Sequence, residues 1–250
     1  MIIDLCKRIF FFVGIVYFSI LLKRKKLVSS ENEFYLLKKF VKKNQNVIDV
    51  GANIGRYSFK LSELIGKNGL VYAFEPMHKS YLTFLSLINF SKVKNIIPFN
   101  FALSDKSNFV MMKELESSNK KDYVFGTQTE SKIVNDSKDS VIKYSIKLDE
   151  IKIKKKISFI KIDCEGFELE VLQGAKSIIK KNKPVILVEH NNNNKVVKFL
   201  VSLGYKEVIK KQKSRNKLFA HKKNHDFKNF IKKNIFFFNL YPSHNSNFIN

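Results

Sequence analysis

The stretch from Asn46 to Phe59, NVIDVGANIGRYSF, joins a short apolar run to a turn with two glycines and to the start of a helical pattern. The run NVIDV is apolar and rich in β-branched residues, which predicts a buried strand. Gly51 and Gly55 allow the backbone to turn tightly and to approach a ligand closely. Because these glycines are four residues apart, the turn does not match the G-x-G-x-x-G pattern of dinucleotide-binding proteins.

Further apolar segments follow along the chain, and most of them alternate with amphipathic helical patterns. They are LVYAFEP (70–76), VKNIIPFNFALSD (93–105), ISFIKID (157–163) and PVILVEH (184–190). This alternation predicts a doubly wound, mostly parallel α/β sheet. Residues 106–147 are polar and mixed, and we expect an inserted strand pair or a loop there. The segments YKEVIKK (205–211) and NKLFAHK (216–222) predict a C-terminal antiparallel hairpin.

The composition limits the classes of protein to consider. The 250 residues carry a formal net charge of +24, nearly all of it from lysine. Proteins that read nucleic acids favour arginine for bidentate contacts, but the arginines here are few: Arg8, Arg24, Arg56 and Arg215. We therefore expect a solvated lysine surface rather than a nucleic-acid-binding track. Cys6 and Cys164 stand far apart, which argues against a disulfide scaffold or a four-ligand zinc site.

The N-terminal segment is apolar between basic flanks. Ile9–Leu22 contains no charged residue, and KRKK follows at residues 23–26. A helix of this stretch would be about 21 Å long, which is short of the roughly 30 Å hydrocarbon core of a bilayer. Three interpretations stay open: an interfacial anchor on an anionic membrane, a helix packed on the domain, and a tilted span. We divide the chain into this segment (1–29), a central domain (30–225) and a tail (226–250).

Acidic residues recur at one edge of the predicted sheet. Asp49, Glu75, Asp163 and Glu189 each fall at the carboxyl end of a predicted strand. Ligands of open parallel sheets bind beyond these ends, near the switch in strand order. The sequence therefore predicts a functional site at this edge.

The spacing of Glu75 from the glycine turn indicates a nucleoside-bearing cofactor. A carboxylate at the end of the second strand can accept hydrogen bonds from both ribose hydroxyls. Asp49, directly before the turn, would repel a pyrophosphate but would suit a cationic ligand. S-adenosylmethionine (SAM) carries an ammonium and a sulfonium and no phosphate, so we predict SAM rather than a dinucleotide. The alternative is that the glycines serve packing alone.

Several motifs together resemble the FkbM-type methyltransferases. They are DVGANIG (49–55), AFEP (73–76), ALSD (102–105), KIDCEGFELEVLQGA (161–175) and ILVEH (186–190). The resemblance covers about Phe34 to Ala220. It implies a class I, Rossmann-like SAM-dependent methyltransferase fold and methyl transfer to oxygen, often to a hydroxyl of a sugar or of a polyketide.

The resemblance also implies roles for individual residues. It places Asp49, Gly51, Asn53 and Glu75 at the cofactor, and we assign Gly55 and Asp105 of the same motifs to that site. Asp163 and Glu165 match the family's D-x-E-G after the fourth strand. Cys164 occupies the variable position between them and receives no role.

The acceptor hydroxyl must lose its proton during methyl transfer, and a positioned base would assist. Asp163 is the first candidate for this base and His190 the second. Alternatively, Asp163 and Glu165 hold a divalent cation that lowers the pKa of the hydroxyl, with Glu189 as a further substrate or metal residue. The competing structural interpretations are that Asp163 caps the next helix and that Glu189 pairs with lysines.

We therefore predict a cytoplasmic O-methyltransferase that acts on a saccharide or lipid-linked saccharide, with membrane association through the N-terminal segment as one of the open interpretations. One rival interpretation is an RNA methyltransferase, supported only by the charge. Another is a non-catalytic membrane module that keeps the fold, against which the acidic residues at the sheet edge argue.

Overall fold

The structure is a computed structural model that describes residues 2–24, 31–115, 130–134, 140–189, 194–208 and 216–224. His190 and the predicted tail, 226–250, lie outside the described residues. The strands are β1 Asn46–Val50, β2 Leu70–Phe74, β3 Ile96–Phe99, β4 Ala102–Leu103, β5 Asn108–Leu115, β6 Glu130–Val134, β7 Ser140–Ile146, β8 Ile157–Ile162, β9 Val185–Glu189, β10 Tyr205–Glu207 and β11 Asn216–His221. The helices are α1 Ile2–Lys23, α2 Asn32–Phe40, α3 Arg56–Ile65, α4 His78–Ser91, α5 Glu168–Gly174, α6 Lys176–Asn182 and α7 Asn194–Ser202.

The main sheet has seven strands in the order β10-β11-β9-β8-β1-β2-β3. The five strands from β3 to β9 in this order pair in parallel, as the alternation of strand and helix predicted. The chain winds from β1 outward to β3 and then returns to β8 on the other side of β1. The switch in strand order therefore lies between β1 and β8, and their carboxyl ends face the same edge.

The C-terminal strands close the sheet. β11 lies between β9 and β10 and runs antiparallel to both. The predicted antiparallel hairpin is confirmed, and its second strand is the one that joins the parallel sheet. Its first residue, Asn216, is paired with Glu189, the last residue of β9, so the start of β11 borders the predicted site.

The predicted third strand is divided in two. β3 ends at Phe99, and the side-chain amide of Asn100 donates hydrogen bonds to the carbonyl oxygens of Glu75 (2.9 Å) and Pro76 (3.1 Å). These bonds turn the chain away from the main sheet. β4 then pairs with β7 in a second, four-stranded sheet of order β4-β7-β5-β6. The polar insertion, residues 106–147, thus contributes β5, β6 and β7 to this second sheet, where we expected a strand pair or a loop.

Both faces of the main sheet are covered by helices. Successive residues of β1 point to opposite faces, so Val47 packs with α2 and α3 while Ile48 packs with α5 and α7. The predicted apolar face of α2 is buried, and it consists of Phe34, Leu37, Phe40 and Val41. The single helix predicted after β8 is two short helices, α5 and α6, which meet at Ala175.

The N-terminal helix α1 packs on the domain through one face. Ile15 and Phe18 are buried, and Phe18 contacts the ring of Phe59 at a centroid distance of 5.8 Å. The opposite face exposes more than half of the side chains of Val13 and Tyr17, 57% and 54%. Of the interpretations of this segment, the packed helix is the arrangement in the structure. Among the described residues, no helix combines the length and hydropathy needed to cross a membrane.

Candidate functional site at the carboxyl edge of the sheet

The turn between β1 and α3 brings the chain close to the end of β8. Gly51 and Gly55 have φ angles of +75° and +91°, in the left-handed region that favours glycine. A Cβ atom on Gly51 would lie 1.8 Å from the carbonyl oxygen of Asp163, and one on Gly55 would lie 2.1 Å from the ring of Phe84. Both glycines are therefore required by packing within the protein. A role for them in approaching a cofactor stays a prediction.

Asp49 lies in the interior beneath this turn. The hydroxyl of Ser58 donates a 2.6 Å hydrogen bond to its Oδ2, and the Nζ of Lys161 is 3.9 Å from its Oδ1. Burial raises the pKa of Asp49, and the charge of Lys161 opposes that rise. Asp49 thus contacts a buried ammonium of the protein itself, and its predicted contact with the cofactor stays a prediction.

Glu75 links the two turns that follow β1 and β2. Its Oε2 accepts the backbone N–H of Asn53 and its Oε1 accepts the backbone N–H of Met77, each at 2.8 Å. Burial raises the pKa of Glu75 to about 7, although the two backbone hydrogen bonds favour the ionised form. Asn53 has a φ of +50°, a left-handed conformation that is uncommon for a residue other than glycine. The hydrogen bond from its N–H to Glu75 stabilises that conformation.

Asp105 follows β4 in the second sheet rather than a strand of the main sheet. The hydroxyl of Ser104 donates a 3.1 Å hydrogen bond to its Oδ1. A Cβ atom on Gly174, at the end of α5, would lie 3.3 Å from the Cα of Asp105. Asp105 is therefore fixed against α5, and its assignment to the cofactor stays a prediction.

Three predicted carboxylates converge after β8 and β9. One oxygen each of Asp163, Glu165 and Glu189 lies within 4.8 Å of the other two. We call these three residues the acidic cluster. Glu189 is buried, and the other two are partly exposed. The structure thus brings together residues that the sequence places 26 positions apart, at Asp163 and Glu189.

A buried lysine lies beside the acidic cluster. The Nζ of Lys161 donates a 2.9 Å hydrogen bond to Asp163 Oδ2 and lies 4.4 Å from the centroid of the Tyr57 ring. Burial lowers the pKa of Lys161, but the charges of Asp163 and Asp49 outweigh burial, so the pKa is raised overall. Lys161 is therefore a permanent positive charge between the cluster and Asp49.

Burial and the repulsion between like charges in the acidic cluster raise the pKa of Glu189. Glu189 is only 6% exposed. Burial, together with the negative charges of Asp163 and Glu165, raises its pKa to about 8. Burial and like charges therefore favour the protonated form of Glu189, and a cation placed between the three groups would oppose that shift.

The loop after β8 has a geometry that explains the D-x-E-G pattern. Glu165 and Gly166 have φ angles of +50° and +102°. The Oε1 of Glu168 accepts the backbone N–H of Cys164 (3.1 Å) and of Gly166 (3.0 Å). Glu168 therefore holds the loop that positions Asp163 and Glu165, and the left-handed backbone at Glu165 is one that a non-glycine residue rarely adopts.

Sequence reasoning missed several residues of this site. Lys161 carried a signal, because a lysine inside the apolar run ISFIKI is stable only with carboxylate partners. Tyr57 carried no such signal in the sequence. Its hydroxyl donates a hydrogen bond to Glu31, and Glu31 also accepts a 3.2 Å hydrogen bond from the side-chain amide of Asn216. Glu31 precedes α2, so these contacts fasten the start of that helix to the rim of the site.

Buried acceptor atoms at this edge lack donors. Within the described part of the chain, Asn53 Oδ1 and Glu33 Oε1 are buried and have no hydrogen-bond partner, and Asp49 Oδ1 has only the ammonium of Lys161 at 3.9 Å. Buried acceptors without donors are costly, so these oxygens favour a ligand that brings N–H groups, O–H groups or positive charge. SAM brings all three, and the residues present fit it.

A family model matches the part of the chain that contains this site. The model of the FkbM methyltransferase domain matches residues 49–207, which include β1, Glu75 and the acidic cluster. The chain is a member of the FkbM methyltransferase family. It therefore carries a SAM-dependent methyltransferase domain, and the predicted family, fold class and cofactor are confirmed.

A solved structure of an FkbM methyltransferase shares this fold. The methyltransferase FkbM from Methylobacillus flagellatus KT is 16% identical with a TM-score of 0.52; the match covers 76% of this chain but 50% of that protein. SMU.1697c from Streptococcus mutans, solved in complex with SAH, is 11% identical with a TM-score of 0.46, covering 75% and 93%. An rRNA methylase from Streptococcus thermophilus is 10% identical with a TM-score of 0.43, covering 77% and 96%. A search of curated proteins found no match.

Proposed function

We propose that this FkbM-family methyltransferase methylates a hydroxyl oxygen of a saccharide, either in a glycan or in a lipid-linked saccharide. The observation that carries this proposal is the acidic cluster beyond β8 and β9, next to the turn that follows β1. Carboxylate oxygens accept hydrogen bonds, and a saccharide presents many hydroxyl donors and no charge. The acidic cluster is thus matched to an acceptor of this kind.

The chemistry asks two things of the protein. Bound SAM supplies an electrophilic methyl group on a sulfonium. The residues of the site then have to hold the acceptor oxygen in line with that group, which contributes up to roughly 7–11 kcal/mol. They also have to favour loss of the hydroxyl proton, for which the negative charges of the partly exposed Asp163 and Glu165 are suited. Asp163 lies between Lys161 and Glu189, so we give it the central role in activating the hydroxyl.

The same cluster argues against a nucleic-acid acceptor. The carboxylates repel the phosphates on both sides of a target nucleotide, and one divalent cation bound among them would not make the site positive. The excess of lysine elsewhere would attract nucleic acid without directing it to the site. A neutral, hydroxyl-rich acceptor agrees better with the charge of the site.

The exposed face of α1 supports contact with an anionic membrane. Val13, Tyr17, Ile20 and Arg24 follow one another at intervals of three or four residues, so they share one face of the helix, and all four are exposed. This places an apolar stripe next to the basic residues 23–26. An apolar face that ends in basic residues is typical of helices lying in the interface of anionic membranes. We propose that α1 rests on such a surface, where a lipid-linked saccharide would be reached.

Methyl transfer to a set of acceptors tests the proposed function. The full-length protein is incubated with methyl-labelled SAM and, separately, with free saccharides, lipid-linked saccharides and RNA. We expect label on saccharide oxygen, located by mass spectrometry of the product, and no label on RNA. Labelled RNA with unlabelled saccharides would overturn the proposal.

A further inference from the structure

We propose that a divalent cation, Mg²⁺ or Mn²⁺, binds between the carboxylates of Asp163, Glu165 and Glu189. Binding of the cation is independent of which acceptor the enzyme uses. Only its suggested part in catalysis rests on the proposed function.

The spacing of the carboxylates suits an ion of this size. One oxygen of each residue lies within 4.8 Å of the other two. Two ligand oxygens on opposite sides of a Mg²⁺ ion are separated by about 4 Å, twice the metal–oxygen distance. Side-chain movements of less than about 1 Å would therefore bring all three oxygens into coordination range.

A buried oxygen points to a missing positive partner. Within the described residues, Glu189 Oε2 has no hydrogen-bond partner, and Glu189 as a whole is 6% exposed. A carboxylate buried to this degree without a donor is costly unless a cation compensates it. Glu168, at the same edge, shows the contrast, because its Oε1 accepts two backbone N–H groups and is satisfied by the protein itself. Glu189 shares a hydrogen bond with Asp163, but its Oε2 has no partner, and Glu189 is the residue of the cluster with least access to water.

The three side chains are held by rigid parts of the fold. Glu189 ends β9, which is hydrogen-bonded on both sides, to β8 and to β11. Asp163 is fixed by Lys161 through its Oδ2, and Glu165 is positioned by the loop that Glu168 holds. A site whose ligands are fixed before the ion arrives loses less entropy on binding.

The donor set selects the class of cation. The cluster contains carboxylates alone, and oxygen-only ligands suit Mg²⁺ and Mn²⁺ rather than zinc or copper. Three carboxylates leave coordination positions for water and for one acceptor hydroxyl. A hydroxyl bound to the ion loses its proton more readily, and that proton would pass to solvent water.

Binding of Mn²⁺ to the full-length protein tests the site without any acceptor or SAM. The loss of the free Mn²⁺ signal in electron paramagnetic resonance measures binding, and added Mg²⁺ should restore the signal by competition. We expect saturable binding of about one ion per chain, weakened tenfold or more in Glu189→Gln. The control variant Glu63→Gln removes a carboxylate at the far end of α3 and should bind Mn²⁺ like the unmodified protein.

A second variant protects the test against misfolding. Glu165→Asn removes the charge at a partly exposed position, and asparagine tolerates the left-handed backbone found there. It should weaken Mn²⁺ binding while SAH binding, measured by calorimetry, is kept. Unmodified protein that binds no Mn²⁺ at millimolar concentration, or variants that bind it unchanged, would overturn the metal site. Intact Mn²⁺ binding without methyl transfer to any saccharide would instead count against the proposed function.

Discussion

The carboxylate of Glu75 accepts the backbone N–H of Asn53 at 2.8 Å, across the gap between the β1–α3 and β2–α4 turns. This bond explains how a turn with three left-handed residues keeps its shape, since Gly51, Asn53 and Gly55 all have positive φ. It also means that the residue predicted to hold the ribose of SAM supports the turn next to it. The two functions of Glu75 can be separated experimentally.

Replacing Glu75 with alanine should weaken SAM binding about ten- to a hundredfold, because charge-assisted hydrogen bonds are worth about 1.5–3 kcal/mol. The loss of its two backbone partners should also lower the free energy of unfolding by about 1–3 kcal/mol. Calorimetry with SAM and urea unfolding measure the two effects. Glu63→Ala serves as the control, and unchanged SAM affinity in a folded Glu75→Ala variant would show that Glu75 does not contact the cofactor.

SAM affinity should depend on pH through Glu75. The buried carboxyl of the free protein has a pKa of about 7, so below that pH it carries a proton. A protonated carboxyl has less capacity to accept hydrogen bonds from the ribose hydroxyls. Affinity should therefore rise between pH 6 and pH 8, with proton release detectable as a dependence of the calorimetric heat on the buffer. Glu75→Gln should remove this dependence, and the same pH profile in that variant would assign it to another group.

Lys161→Met should destabilise the protein strongly. The substitution leaves Asp49 and Asp163 without their buried counter-ion, and breaking a buried pair in this way costs about 3–5 kcal/mol. Burial already raises the pKa of Asp49, and without Lys161 the pKa should rise further. When a carboxyl has a higher pKa in the folded state than in the unfolded state, the folded protein becomes less stable as pH rises. The loss of unfolding free energy in Lys161→Met should therefore be larger at pH 8 than at pH 5.

Urea unfolding of Lys161→Met at the two pH values measures this deficit. Lys217→Met, which removes a partly exposed lysine 3.7 Å from Glu207, is the control and should cost at most about 1 kcal/mol. A deficit for Lys161→Met as small as that of the control would show that Lys161 does not compensate the buried carboxylates.

Two negative charges on the exposed face of α1 should weaken membrane binding. Tyr17→Glu with Ile20→Glu removes apolar side chains worth roughly 1.5–3 kcal/mol each on burial, so binding to phosphatidylglycerol vesicles should fall at least tenfold. Deleting α1 would be a poorer test, because Ile15 and Phe18 are buried against the domain. Vesicle co-sedimentation measures the effect, and raised salt should weaken binding of the unmodified protein.

The matched control for α1 is Val141→Glu with Ile142→Glu. These exposed residues of β7 give the same change in net charge away from α1. Equal losses in both double variants would show that net charge, and not the face of α1, governs binding.

The sequence was sufficient for the sheet and for the acidic edge. Runs such as NVIDV and PVILVE predict buried strands because their apolar residues leave no polar face. Parallel strands end at the same edge, so carboxylates that follow separate strands must meet there. The convergence of Asp163 and Glu189 is a consequence of that geometry.

Other features depend on contacts that no local pattern records. The third strand divides because Asn100 bonds to the β2–α4 turn, which is distant in sequence. The need for glycine at position 51 comes from the carbonyl oxygen of Asp163, more than a hundred residues later. The loop of Glu165 depends on Glu168, whose spacing in sequence is that of any helix-starting acid.

The most direct measurement compares the unmodified protein with Asp163→Asn, using methyl-labelled SAM and a saccharide acceptor. The substitution keeps the size of the side chain and one oxygen that can accept the hydrogen bond of Lys161, but it removes the negative charge. Methyl transfer to saccharide oxygen should fall by about 10²–10⁴-fold, while SAH affinity by calorimetry stays within a factor of a few. Asp163→Asn that methylates the same oxygen at nearly the unmodified rate would contradict the assignment of the acceptor to the acidic cluster.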